Sequence, residues 1–213
     1  MSNLLYKELR LAAHPNLYIF ALLGMLVLVP AYPYGMVFIF GCLGPYLTML
    51  YGRETNDLYF TALLPVRKRD IVKGKCLLFA TAQLGQVLIS LPFAFLRTRL
   101  LPAGNPAGLE ANAAYYGFGF LVYAIFNFVF LTEFFKSGYK VGRAFLLALV
   151  PAVLVVLTME VLAHVPALAW LDSVQGADLL RQLPILLGGI GIYAVAMLLT
   201  LRLAAKRFEQ VNL

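Results

Sequence analysis

Six predominantly apolar runs follow one another along this chain, at about 16–31, 35–51, 76–96, 112–132, 144–163 and 183–201. A bilayer core of about 30 Å is crossed by roughly 20 apolar residues in a helix, and by about 17 in a short span. Inside hydrocarbon each backbone polar group must be satisfied within its own segment, so runs of this kind are helices. The expected fold class is therefore an all-α membrane protein with six transmembrane helices. Composition closes the alternative: 62% hydrophobic residues and a mean hydropathy of +0.84 over 213 residues leave more apolar surface than a small soluble fold can hide. No linker, low-complexity stretch or internal repeat divides the chain, so residues 1–213 are expected to form one domain. The first run starts near Leu17 and passes through Tyr32, Pro33, Tyr34 and Gly35 into the second with no small-residue cleavage site. It is expected to remain in the mature protein.

The charges between the runs orient them. With the N-terminal segment, residues 52–75, residues 133–143 and the tail on one side, that side holds 14 of the 17 Lys and Arg residues. The other side holds Arg97, Arg99 and Arg181. Loops this short obey the positive-inside rule, so both termini are expected in the cytoplasm. The net charge of +7 is distributed as these loop clusters rather than as a groove-binding stripe, which argues against nucleic acid. Residues 2–14 are expected to form an interfacial amphipathic helix, with Leu5, Leu9, Ala12 and Ala13 on one side and Lys7 and Arg10 on another. Trp170, between the last two runs, suits an interface anchor.

Chemistry-bearing residues are sparse. No G-x-S-x-G, H-E-x-x-H or phosphate-cradling glycine loop occurs, so the chain is not expected to be an enzyme or to hydrolyse ATP by itself. Cys42 and Cys76 lie in or beside apolar runs, without the spacing of a zinc site or a disulfide framework. Glu160 and His164 share a helix face and could pair, but two ligands make no metal site. Gln83, Gln86 and Ser90 cluster on one face of the third run, and Asn127 lies in the fourth. Polar groups at lipid depth turn inward, either to bond neighbouring helices or to contact a substrate. Gly188, Gly189 and Gly191 would allow close packing of the last helix. Aromatic residues crowd the first hairpin: Tyr32, Tyr34, Phe38, Phe40 and Tyr46. Most suit belt anchors or lipid-facing bulk. The candidate substrate-path set is Tyr32, Tyr34, Tyr46, Gln83, Gln86 and Asn127.

Residues 52–75, GRETNDLYFTALLPVRKRDIVKGK, are the most informative stretch. A short helix over 56–64, ended by Pro65, is expected to lie across the cytoplasmic face. Its apolar groups Leu58, Tyr59, Phe60, Leu63 and Leu64 exceed the need of a solvated loop and suit a docking surface for another protein. The competing reading lays the helix on the membrane, with Arg67, Lys68 and Arg69 near anionic lipid.

The run 63–75, LLPVRKRDIVKGK, resembles the pattern of type-two ABC exporter permeases. There a leucine-rich short helix, a Pro-Val or Pro-Ile step, basic residues, Ile-Val and Gly-Lys precede the third span. Arg67 stands where relatives often carry Ser. Six spans, the N-terminal helix and an acidic residue early in the segment, here Glu54, also match. The opening LLYKEL and the run GRETND (52–57) are similar to bacterial permeases that export phenol-soluble modulins and other amphipathic peptides.

The resemblance implies a coupling helix seated in a cleft of a cytoplasmic ATPase, with two ATPases, two permease copies or paralogues, and a substrate path between the permeases. Transferred to this chain, the contact segment is Glu54 and Asp57, Leu58, Tyr59, Phe60, Leu63, Leu64, Pro65, Val66, Arg67, Lys68 and Arg69, braced by the N-terminal helix. ATP and Mg would be held by the partner, and this chain would bind no cofactor. The expected function is that of the multi-pass permease of a bacterial plasma-membrane exporter, for an amphipathic or hydrophobic substrate. Peptides come first, lipids or drugs after. The rival from another class is a non-transporting scaffold or sensor that docks its partner through the same segment.

Overall fold

A computed structural model describes residues 2–100 and 104–211, and every regular element in them is helical. The 101–103 part of the expected loop after the third run, Met1 and the last two tail residues lie outside the described residues. α1 (Ser2–Lys7) continues as a π-helical turn through Glu8–Ala12, and α2 (Asn16–Leu22) tightens into a 3₁₀ segment, Leu23–Leu28. α3 (Gly35–Glu54), the short α4 (Asp57–Ala62) and the long α5 (Lys68–Leu100) follow. α6 (Ala113–Phe134), α7 (Val141–Ala163), a 3₁₀ segment (Pro166–Leu171) and α8 (Gly176–Glu209) complete the chain.

Among the described residues, α3, α5, α6, α7 and α8 are each long and apolar enough to cross a bilayer. A sixth crossing depends on the N-terminal pair, in which Leu4–Ala12 and Asn16–Leu28 meet at 94°. The helical part of the expected first span is thus shorter than its apolar run, at about 22 Å for seven α and six 3₁₀ residues. The tightening has a visible partner. Gln86 Nε2 donates to the Phe20 carbonyl at 2.8 Å, and a side chain that reaches into a helix's backbone ladder redirects it. At the other extreme, α5 and α8 have 33 and 34 residues, or about 50 Å each, and overrun the bilayer core. The basic run 68–75 is therefore the first two turns of α5 rather than a loop, and α8 takes up the end of the expected 164–182 loop.

α6 is the axis of the bundle. Phe126 stacks on Phe130, which stacks in turn on Phe79 of α5, both at 5.5 Å between ring centroids. Tyr46 of α3 stacks on Phe145 of α7 at 3.9 Å. α6 and α8 meet backbone to backbone. A Cβ at Gly189 would lie 2.2 Å from the Gly117 carbonyl oxygen, so both positions must be glycine for this approach. Of Gly188, Gly189 and Gly191, only Gly189 makes that close contact; Gly188 and Gly191 face open space.

The end of the bundle away from α4 is tied by polar groups. Buried Arg97 holds Glu110 through Nε at 3.1 Å and Nη2 at 2.9 Å, and its guanidinium lies 5.2 Å from the Tyr34 ring centroid. Glu160 does not pair with His164. Its carboxylate accepts the backbone N–H groups of Gly35 at 2.8 Å and Leu109 at 3.1 Å, while His164 Nδ1 lies 2.9 Å from the Glu160 carbonyl. Two orphan amides, one of them at the start of α3, offer this half-sunken carboxylate more than an exposed imidazole one turn away.

Candidate functional site: the segment between α3 and α5

α3 stops at Glu54 because Asn56 takes a left-handed conformation (φ 54°), which turns the chain back under the bundle. α4 then runs from Asp57 to Ala62, two residues shorter at its C-terminal end than the sequence predicts. Leu63 and Leu64 are held in a turn by bonds to the Tyr59, Phe60 and Thr61 carbonyls ahead of Pro65.

The helix presents two faces. Outward are Tyr59, Phe60 (62% exposed), Leu63 (69% exposed) and Leu64, with Pro65 beside them. Inward are Leu58, 9% exposed and part of the core, and Thr61, fully buried. Leu58 thus corrects the sequence reading that counted it among the exposed groups. On a helix it lies two positions from Phe60 and about 200° around the axis, so the two cannot share a face.

Asp57 also turns inward. Its carboxylate meets Lys7 Nζ at 2.5 Å and Lys75 Nζ at 2.7 Å. Lys75, nearly fully buried, reaches Glu8 at 2.6 Å, and Lys7 donates to Thr61 Oγ1 at 2.7 Å and pairs with Glu8 at 3.2 Å. Two lysines and two carboxylates form a closed, formally neutral quartet that fastens α1 with its π turn, α4 and α5 together. Burial alone would raise the Asp57 pKa, but Lys75 and Lys7 outweigh it and hold the carboxyl below its ordinary range.

The N-terminal helix therefore braces α4 directly. The predicted stripe of Leu5, Leu9, Ala12 and Ala13 turns inward only in part, with Leu5, Leu9 and Ala13 half-buried. Leu4 and Glu8 pack beside Gly74 of α5, and Ala12 is buried. A charge overrides the hydrophobic stripe because it finds a buried counter-ion 67 residues away. Sequence reasoning places Lys7 only on the polar side of that helix and assigns no contact to Glu8, Thr61 or Lys75. The one local signal was a Lys-Glu pair within the leucine-rich turns of 4–11.

The remaining predicted contacts spread along the rim. Glu54 pairs with Arg53 at the exposed end of α3. Val66 is half-buried, and Arg67 pairs with Asp70 at 3.0 Å. Lys68 donates to the Val211 carbonyl at 2.6 Å, pinning the tail, and Arg69 stays exposed.

The six path candidates are not gathered into one lining. Gln83 and Asn127 exchange amide bonds at 2.9 and 2.7 Å, and Tyr193 adds one to Gln83 at 3.1 Å. Gln86 donates to the Phe20 and Val37 carbonyls and accepts from the Tyr123 hydroxyl. Tyr34 is buried at the far end, where its hydroxyl donates to the Val29 carbonyl at 3.1 Å; Tyr32 is half-buried nearby. Tyr46 packs between α3, α6 and α7.

The fold and this site define a class: a multi-pass helical membrane protein with a surface helix fastened to one end of its bundle by a charge quartet. The chain belongs to the ABC-2 family of transporter proteins, whose family model, described as "ABC-2 family transporter protein", matches residues 3–204. It is thereby a membrane permease component of an ABC transporter, a class that works with ABC ATPase partners. No characterised protein and no solved structure matches the chain.

Proposed function

We propose that this chain is the permease of a bacterial plasma-membrane ABC exporter, and that Tyr59, Phe60, Leu63 and Leu64 are its contact with the ATPase. One observation carries the reading: a six-residue helix exposes large apolar groups on one side and is anchored on the other by a charge quartet centred on buried Lys75 and Glu8. A helix that merely rested on lipid would have no need of so costly an anchor. Lys75 and Glu8 are buried and Lys7 and Asp57 half-buried, and charges so placed are stable only with close geometry. A helix that must move with a partner does need one, because the quartet passes its displacement to α5 and to α1.

In this reading two ATPases, holding ATP and Mg, close on two copies of the chain or on a copy and a paralogue. All six runs cross the membrane, the N-terminal pair supplying the first crossing, and both termini lie in the cytoplasm. The substrate is amphipathic or hydrophobic, a peptide by preference. For Tyr32, Tyr34, Tyr46, Gln83, Gln86 and Asn127 to line its path, α5 and α6 must part and exchange the bonds described above. The scaffold or sensor alternative keeps the docking face but has no use for a coupled helix pair.

Purification from native membranes, followed by identification of the ATPase that accompanies the chain, tests the reading. An ABC ATPase in near-equal amount is expected. Partners without a nucleotide-binding domain would favour the scaffold.

A further inference from the structure

Between α6 and α8 the membrane-level surface is hollowed into a groove of about 570 Å³, with Ile125 and Phe128 on one wall and Gly188, Gly191, Val195 and Leu199 on the other. The hollow follows from the glycines. Gly189 draws the helices together, while nothing lies within 4 Å of where a Cβ would stand at Gly188 or Gly191. From 188 to 199 the helix rises about 17 Å, close to half the roughly 30 Å hydrocarbon core, so the groove is about one leaflet deep.

The same face continues past the groove. Arg202 and Lys206 follow Gly188 by 14 and 18 residues, which at 100° per residue returns them to within about 40° of it. There they border a second hollow of about 250 Å³ with Arg69 of α5. Arg69, Arg202 and Lys206 make no ion pair among the described residues. Glu209 is the one acid at this hollow, so three cations outnumber it.

We infer that this face holds an anionic phospholipid, with an acyl chain in the groove between α6 and α8 and the phosphate at Arg69, Arg202 and Lys206. An apolar slot one leaflet deep that ends in unpaired cations fits a molecule with that same order of parts. A second copy of the chain is the poorer occupant. A two-fold contact through this face would set each copy's cations against its partner's. The inference rests on α6 and α8 crossing the membrane and not on the exporter reading, so either can fail alone.

The test is native mass spectrometry of the full chain released from vesicles of equal parts phosphatidylglycerol and phosphatidylcholine. Wild type should retain phosphatidylglycerol in clear preference. Arg202→Gln/Lys206→Gln, both on exposed side chains, should cut that preference about tenfold or more with helix content unchanged. Gly188→Leu/Gly191→Leu should lower retention of both lipids by filling the groove. Equal retention of the two lipids by wild type, or a preference unmoved by the double Gln change, overturns the inference. So does a groove variant that loses a dimer while keeping its lipid.

Discussion

Lys75 is the residue on which the α4 end of the bundle turns. It is nearly fully buried with Glu8 and Asp57 as its two counter-ions. Removing one member of such a group leaves an uncompensated charge, which costs about 3–5 kcal/mol. Lys75→Met should therefore lower the melting temperature of the detergent-solubilised protein sharply, and adding Glu8→Gln should recover part of the loss. A single change without effect would mean that the quartet does not hold these elements. The pH dependence has a definite sign. Asp57 titrates below its ordinary value of 3.8 when folded, so its contribution is complete at neutral pH and is lost only as pH falls through the lowered value. Melting should show an acid-side loss below pH 3.8 that Asp57→Asn abolishes, at the cost of lower stability at pH 7. None of this pairing was legible in the sequence. Glu8 and Lys75 are 67 residues apart, and a residue pattern read along one helix cannot show which charge meets a partner on another.

At the scale of elements, the apolar runs placed α3, α5, α6, α7 and α8, because lipid imposes a length and polarity that the sequence must meet. The ends were not legible in the same way. α5 and α8 continue into water on charged residues, which hydropathy reads as loop and helix propensity does not. The α2 region went the other way, where an inserted glutamine and a left-handed Ala31 (φ 58°) end the helix inside an apolar run. For the docking segment the sequence showed the helix but ran it on to Pro65, whereas it ends at Ala62, and the short element then sorted Leu58 from Phe60 by angle alone. The glycines of α8 divide by what they face. Gly189→Leu should separate α6 from α8 and abolish folded yield in size-exclusion chromatography, whereas Gly188→Ala should pass unnoticed. Equal behaviour of the two would contradict the backbone contact at Gly117.

For the whole molecule, the basic asymmetry predicts an orientation that labelling can read. In a background without Cys42 and Cys76, cysteines at exposed Thr98 and Gln175 should react with an impermeant maleimide from outside, and those at Thr55 and Tyr139 only after permeabilisation. Outside labelling at Thr55 would contradict it. The central claim is that the exposed apolar face of α4 couples an ATPase to the bundle. Truncating Phe60 and Leu63 to Ala would remove contact area worth at most about 1.5–3 kcal/mol per residue, since each would be buried in the cleft. At about 1.4 kcal/mol per tenfold, the lower figure for both residues weakens association about a hundredfold. Both side chains lie on the surface, so insertion and abundance should hold. The decisive measurement is ATPase pull-down together with transport-coupled ATP turnover for Phe60→Ala/Leu63→Ala at normal membrane abundance: loss of both is the predicted result, and retained binding with full turnover would contradict the account.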